Sequence, residues 1–319
     1  MPSIHPETPL VSPTGWIEAW RAAPGDLLYD SSGKPTPVAR VARETPPRAT
    51  ELRISGPPIR CSTDHDLVLG TAWVSMKAWP GEAERRDPVV TERIALIGEI
   101  PEDWLEAGPP LDPWTYGLWR TTGIEDAVSV PANLADRAAE MIEARGLKVR
   151  RRTAHGKHAY LYVDGLLERL HRIDAFSEPV ALAYRRAPVE VRRDLMAGAL
   201  DGKGVFNRGL RRHVVIRSRR PEIVNALAEV ATSLGWRSSA VHNSTQSLTR
   251  VLIDPVRMYL RDIDLAVARA AAPNKRPNEV RPAYYVHASA DIEPKEYVDI
   301  HTEAGTYLIG RAMVPVRDW

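Results

Sequence analysis

Hydrophobic and polar positions follow two different rhythms along this chain. Through residue 100 the apolar stretches are short: Leu27-Leu28-Tyr29, Pro37 to Val41, Glu51 to Ile54 and Asp66 to Leu69. Turn formers such as Pro13-Thr14-Gly15, Pro24-Gly25-Asp26 and Ser31-Ser32-Gly33-Lys34 separate them, which predicts an all-β unit of closely spaced turns. Gly98 to Pro113, rich in Pro, Gly and acid, reads as a linker. A helical period then begins. Leu134 to Arg145 puts Ala, Met and Ile on one face, with Asn133 as the expected cap. Strand-like runs at Leu147 to Arg152 and His158 to Val163 precede a short helix from Leu166. Val189 to Leu200 reads as a helix, Arg212 to Arg217 as a strand, and Pro221 to Leu234 as a helix with Pro at its first position. Ser247 to Ile253 reads as a strand. Two successive units thus share the order helix, strands, helix, strands. After about residue 277 short strands return at Tyr284 to His287, Tyr297 to His301, Thr306 to Ile309 and Met313 to Val316. The expected organisation is a discontinuous β domain, 1–105 and 277–319, interrupted by an α+β domain over 106–276 with halves near 112–175 and 187–262.

Composition narrows the class. With 44% hydrophobic and 26% charged residues in 319, the chain has the balance of a soluble protein with real cores. No stretch approaches the roughly 20 apolar residues of a membrane span. Met1-Pro2-Ser3-Ile4-His5-Pro6 lacks the basic and apolar regions of a signal peptide. The lone Cys61 excludes an internal disulfide and fits a reducing compartment, so a cytoplasmic location is expected. Neither a membrane nor a small-molecule substrate is indicated. Net charge is only +2, but residues 145–220 hold 19 Lys and Arg against seven Asp and Glu, an excess of +12, leaving −10 elsewhere. Such asymmetry is a nucleic-acid footprint; the alternative is a solvated arginine-rich surface encoded by a GC-rich genome.

The internal repeat can be placed on residues. Thr115-Tyr116-Gly117-Leu118-Trp119-Arg120-Thr121-Thr122-Gly123 and Met196-Ala197-Gly198-Ala199-Leu200-Asp201-Gly202-Lys203-Gly204 each carry Gly, five residues, Gly at a helix end. Helix C-caps alone favour Gly, but the duplicated layout and the strands that follow resemble the two LAGLIDADG motifs of a homing endonuclease. Leu234-Gly235-Trp236 is similar to a turn common in the second half of such domains. The resemblance implies that the motif helices pack through small residues, here Gly117, Ala197 and Gly198, and that the strands form a saddle over duplex DNA. It also implies an acid before each final Gly, the pair holding the metals that activate water. Those positions are Thr122 and Lys203. A neutral hydroxyl and an ammonium are poor partners for a hard cation, so no metal is expected; Mg²⁺ enters only with a residual nuclease activity. Asp201 stands two positions earlier, where the family residue caps the helix.

Four blocks at the two ends resemble the Hint fold of inteins: Glu7 to Trp16, Ile59 to His65, Tyr297 to Ile300 with Gly305 to Gly310, and Ala312 to Asp318. The resemblance places the splicing nucleophile at Ser3, with Ser62 and His65 in the Thr-x-x-His pair, Asp299 in the third block, and Arg317-Asp318 where His-Asn would stand. A lone His is more often structural; block context is what singles out His65. Arginine does not donate a proton at neutral pH, Asp cyclises poorly when ionised, and the Trp319 indole accepts no acyl group. Ligation is therefore not expected. Only Met1-Pro2 and Trp319 fall outside this unit, so the chain reads as free-standing. Cys61 and Trp73, Trp79, Trp104, Trp114 and Trp119 read as packing groups rather than a nucleophile and base-stacking residues.

The expected fold is an all-β Hint domain, discontinuous, plus an α+β LAGLIDADG domain with an αββαββα repeat. The expected function is that of an intein-derived, degenerate protein retained for double-stranded DNA binding. Arg150, Arg151, Arg152, Lys157, Lys203, Arg208, Arg211, Arg212, Arg217, Arg219 and Arg220 are the candidate contacts. Two alternatives stay open: a structural or protein-interaction part in a phage particle or replication assembly, which would put it in a virion, and a residual nuclease or N-terminal self-cleaving enzyme.

Overall fold

Turn residues set the strand lengths at the start of the chain. The computed structural model describes residues 2–53, 58–64, 66–69, 72–75, 95–206, 214–236, 238–243, 248–253, 287–293 and 295–318. There β1 (Pro9–Ser12) and β2 (Gly15–Glu18) form a tight hairpin in which Gly15 takes φ 130°, a conformation open to glycine. The strands β3 (Leu27–Tyr29), β4 (Pro35–Glu44), β5 (Ala49–Arg53), β6 (Ile59–Ser62), β7 (Asp66–Leu69) and β8 (Ala72–Ser75) follow. The middle of the chain runs α1 (Pro113–Thr122), β9 (Gly123–Ile124), β10 (Ala127–Pro131), α2 (Ala135–Glu143), β11 (Val149–His155), β12 (His158–Val163) and α3 (Leu166–Arg172). It continues with α4 (Leu182–Arg186), α5 (Val189–Lys203), β13 (Gly204–Phe206), β14 (Val214–Ser218), α6 (Pro221–Ser233), β15 (Ser238–Asn243) and β16 (Leu248–Ile253). The chain ends with β17 (His287–Ile292), β18 (Tyr297–Thr302), β19 (Thr306–Ile309) and β20 (Val314–Arg317).

These elements divide into two compact units, Met1–Ile97 with Glu279–Trp319, and Gly98–Asn278. In the first, the two ends of the chain interleave. The sheet order β2-β1-β19-β20-β7-β8 puts C-terminal strands between N-terminal ones, and Ile4 bridges both Val298 and Cys61. Leu10, Leu28, Val38, Ile59, Ile300, Ile309, Val314 and Val316 fill its core. The short apolar runs that predicted strands supply this core, and β18, β19 and β20 are buried along most of their length.

The second unit repeats itself. From each of α1 and α5 the chain enters two strands, a helix and two more strands. Numbering the four strands of each half in chain order, both sheets read one-two-four-three: β9-β10-β12-β11 and β13-β14-β16-β15. Helix α1 packs along α5 through small residues. A Cβ on Gly198 would overlap the Trp114 carbonyl oxygen, and one on Gly117 the Leu195 carbonyl oxygen and the Ala199 amide. The expectation that Ala197 shares this contact is corrected. Ala197 is buried in the core, but Leu195, Gly198, Ala199 and Gly202 are the residues facing α1, as helical spacing of three and four requires.

Three other expectations change. The segment from Gly98 is not a linker: Trp104 and Leu111 are buried, the Trp104 ring lies 4.7 Å from Tyr184, and the Tyr184 hydroxyl donates to the Leu111 carbonyl at 2.5 Å. The inserted unit therefore starts at Gly98 rather than 106 and ends at Asn278. Asn133 lies inside a 3-10 turn (Ala132–Leu134), and α2 begins after Leu134 without a side-chain cap. Gly123 and Gly204 are not left-handed caps; both are extended, with φ −70° and −69°, and lead straight into strands. Gly123 is required instead because a Cβ there would strike the Trp119 indole.

Because backbone atoms line the α1–α5 contact, it cannot yield to an added methyl. Gly198→Ala is expected to lower stability by about 3 kcal/mol, the upper range of overpacking, read as a shift of the urea midpoint. An unchanged midpoint would mean that the helices are not in backbone contact.

Candidate nucleic-acid interface

The first sheet of the second unit has one face against helices and one face open. In β12, Ala159, Leu161 and Val163 are buried in the core while His158, Tyr160 and Tyr162 are not. Register carries this division to the neighbouring strands, since cross-strand partners share a face. Arg151, Thr153 and His155 of β11 stand opposite Tyr162, Tyr160 and His158, and Ser129 and Pro131 of β10 continue the row. In the second sheet Val215 and Ile216 are both buried, so β14 is covered on both faces there, while Arg217 is exposed and pairs in register with Arg250.

This geometry sorts the basic residues. Arg151 lies on the open face with its guanidinium 4.1 Å from the Tyr162 ring. Arg152 is directed to the helix side, where it pairs with Asp136 of α2. Arg150 sits at a register shift and pairs with Asp126 and Asp164. Arg150 also comes within 6.0 Å of the Tyr162 ring, so it shares that neighbourhood with Arg151, and Arg152 is the one directed elsewhere. Lys157 occupies the β11–β12 turn and is exposed. Arg217 and Arg219 are exposed, while Arg220 is the residue preceding α6, within electrostatic reach of Arg120. Arg208, Arg211 and Arg212 lie outside the described residues.

Other cations of the +12 segment serve the interior. Arg192 is fully buried, donating to the Ala187 carbonyl and to the carbonyl and hydroxyl of Ser233. Arg185 and Arg186 both pair with Glu229. The charge excess therefore overstates the external field. Residues the pattern-based reading missed are Ser129, Thr153, His155, His158, Tyr160 and Tyr162. Their signal was the alternation His-Ala-Tyr-Leu-Tyr-Val in β12, which marks one buried and one open face.

The helix ends meet at the positions where metal ligands were considered. Thr122 is buried and its hydroxyl donates to the Leu118 carbonyl at 2.8 Å. Lys203 is exposed at the last position of α5. Asp201 is buried and accepts the Trp114 indole N–H at 2.9 Å, joining α5 to the start of α1. At the equivalent place of the first motif, Arg120 donates to the carbonyls of Pro179 and Ala175. The two motifs thus carry opposite charges there, Asp201 tying α5 to α1 and Arg120 tying α1 to the segment between α3 and α4. A hydroxyl engaged with its own helix and an ammonium do not fit a divalent cation.

In the first unit four of the positions singled out for splicing, Ser3, Ser62, Asp299 and Asp318, are buried. The Ser3 N–H donates to the Ser62 hydroxyl at 3.0 Å, and the Ser62 N–H returns to the Ser3 carbonyl at 2.7 Å. Asp299 is fully buried; one oxygen meets Arg40 at 3.2 Å and His301 at 3.0 Å. One Asp318 oxygen accepts the N–H and hydroxyl of Thr302. Ser3 Oγ, the second oxygens of Asp299 and Asp318, and the Tyr307 hydroxyl are buried without a partner. Burial, with Asp318 and Asp299 nearby, holds the Tyr307 hydroxyl far above its usual range. Arg317 is half-buried opposite Thr306 and Asp66. His65 lies outside the described residues, as does Trp79. Trp104, Trp114 and Trp119 are buried.

Several solved structures resemble parts of the chain. A mesophilic variant of the homing endonuclease I-DmoI matches at 11% identity, covering 51% of this chain and 97% of that one, with TM-score 0.39. I-DmoI in complex with DNA and Mn matches at 10% identity over 49% and 96%, TM-score 0.36. The MchDnaB-1 intein matches at 26% identity over 28% and 67%, TM-score 0.24. No protein-family model and no curated protein matches.

Burial pushes the Cys61 thiol up to about 12, so it is no nucleophile at neutral pH. The thiol of the unfolded chain ionises near 8.5, so its contribution to stability is complete below that pH and is lost as pH rises toward 12. At pH 8 the native protein is expected to leave Ellman's reagent unreacted and to release one thiol per chain on denaturation. Rapid native reaction would contradict the burial.

Proposed function

We propose that this chain is an intein-derived protein, splicing unit and endonuclease-like insert together, that binds double-stranded DNA and neither cuts nor splices. One observation carries the reading: a four-stranded sheet covered by helices on one face and open on the other, in a unit whose second sheet repeats its strand order. The open face bears Arg151, Tyr160 and Tyr162, and Arg217 is exposed on the second sheet. Cations that reach phosphates supply most non-specific affinity for duplex DNA, and side chains on a sheet face supply hydrogen bonds to it.

The loss of chemistry is argued from side chains. Thr122 closes on its own helix and Lys203 repels a cation, which leaves water activation without ligands. Arg317 and Asp318 take the places of the pair that would release the C-terminal segment, and Asp318 is held by Thr302. Ser3 retains a hydroxyl, buried and without a partner. The basic residues contribute unequally, because Arg152 and Arg150 are engaged with carboxylates.

Fluorescence anisotropy with mixed-sequence duplexes at 50 and 200 mM salt tests the reading. Binding that falls steeply with salt is expected; absence of binding at 50 mM overturns it. Arg151→Ala should reduce the salt slope by about one unit and Arg152→Ala by much less.

Lys203 tests the same reading at the helix ends. If its ammonium stands where a cation would meet phosphate, Lys203→Ala weakens duplex binding by about 1 kcal/mol and lowers the slope by about one unit. Unchanged values would make it a solvated surface residue. Plasmid DNA should remain intact with Mg²⁺ or Mn²⁺, and sequence-specific breaks abolished by a point change on the open faces would refute the loss of cutting.

A further inference from the structure

The tip of the first sheet carries a feature that composition conceals. His155 ends β11 and His158 begins β12, joined by the two-residue turn Gly156-Lys157 in which Gly156 takes φ 60°. The two histidines are direct register partners and both are exposed. They lie on the open face, in line with Thr153 and Tyr160 and then Arg151 and Tyr162. Lys157 stands between them in the turn, its carbonyl accepting the Ala132 N–H at 2.9 Å. Pro131 of β10, the register partner of His158 on the other side, brings no charge.

We propose that this His-Gly-Lys-His tip is a proton-dependent contact for the phosphates of duplex DNA, resting on the DNA-binding reading above. Histidine changes charge between pH 5 and 8. Protonation of both rings would place three cations on one hairpin tip, and like charges directly across a strand pair repel. A carboxylate beside them would relieve that repulsion, but among the described residues this part of the open face carries none. The nearest acid by position, Asp136 on α2, is on the helix side and is paired with Arg152; Arg137 beside it is a further cation. Arg151 adds positive charge on the open face, where Tyr160 and Tyr162 are its neighbours. A phosphate backbone supplies the missing negative charge, so DNA binding and proton uptake favour one another by linkage. The tip then grips weakly near pH 7.5 and strongly near pH 6.

The test is equilibrium anisotropy on the full chain with a mixed-sequence 30-base-pair duplex, across 50–200 mM salt at pH 6.0 and 7.5. The salt slope should steepen by about 1 to 2 units at pH 6.0, at about 0.9 per added phosphate contact. Both sites are exposed, so His155→Asn with His158→Asn should keep the native circular dichroism spectrum while losing the pH dependence of the slope. Titration calorimetry in two buffers of different ionisation enthalpy should show net proton uptake on binding near pH 6.5, absent from the double variant. Binding with equal slopes at both pH values, or equal pH dependence in the double variant, overturns the tip contact and leaves DNA binding standing. No binding at either pH overturns both.

Discussion

Everything in the inserted unit depends on the backbone contact between α1 and α5. Gly117 and Gly198 let each helix touch carbonyl oxygens of the other, and this closeness sets the spacing of everything attached. Gly123 and Gly204 follow the helices directly into β9 and β13, so the starting point of each sheet is a consequence of where the helices meet. The tie from Trp114 to Asp201 then fixes the two helices lengthwise, while Arg120 anchors α1 to the carbonyls of Pro179 and Ala175. A widened contact would move both sheets, and with them the relative placement of Arg151 and Arg217.

That scaffold also decides what a charged residue means. The stretch 145–220 has an excess of +12, yet a large share of it is structural. Arg192 satisfies the carbonyl of Ser233 at the end of α6, and Arg185 and Arg186 hold α4 to the same helix through Glu229. A buried guanidinium satisfied by carbonyls cannot also reach phosphate. Desolvation is costly, but once it is offset by hydrogen bonds, removing the residue exposes unpaired acceptors. The exterior is accordingly less basic than the count, and the open face of the first sheet sets tyrosines, histidines and hydroxyls among Arg150, Arg151 and Lys157.

Much of the fold was legible because the periods were clear. The β12 alternation, the Pro221 start of α6 and the Gly-x5-Gly pairs all had a local cause that survived folding. Gly98 to Pro113 misread as a linker because its Pro, Gly and acid content matches one, while Trp104 and Leu111 packing on Tyr184 is a contact across more than seventy positions. The site was less legible. Arg150, Arg151 and Arg152 are indistinguishable in sequence, and only a register shift in β11 and the position of Asp136 separate them. Ala197 and Ala199 differ only in helical phase, which a one-residue error in α5 would reverse.

Fold and chemistry come apart at the helix ends for a physical reason. Two carboxylates at the C-termini of adjacent helices oppose each other and the negative ends of both helix dipoles, unless a cation compensates them. Lys203 reverses that balance at α5, where a cation in the last turn is favourable. Thr122 closes its hydroxyl on the Leu118 carbonyl. The helix ends thus carry groups that suit the dipoles, whereas the glycines between the helices admit no side chain at all. In the β unit the balance is different: Ser3, Asp299 and Asp318 are buried with one unpartnered oxygen each, a standing cost of unsatisfied polarity.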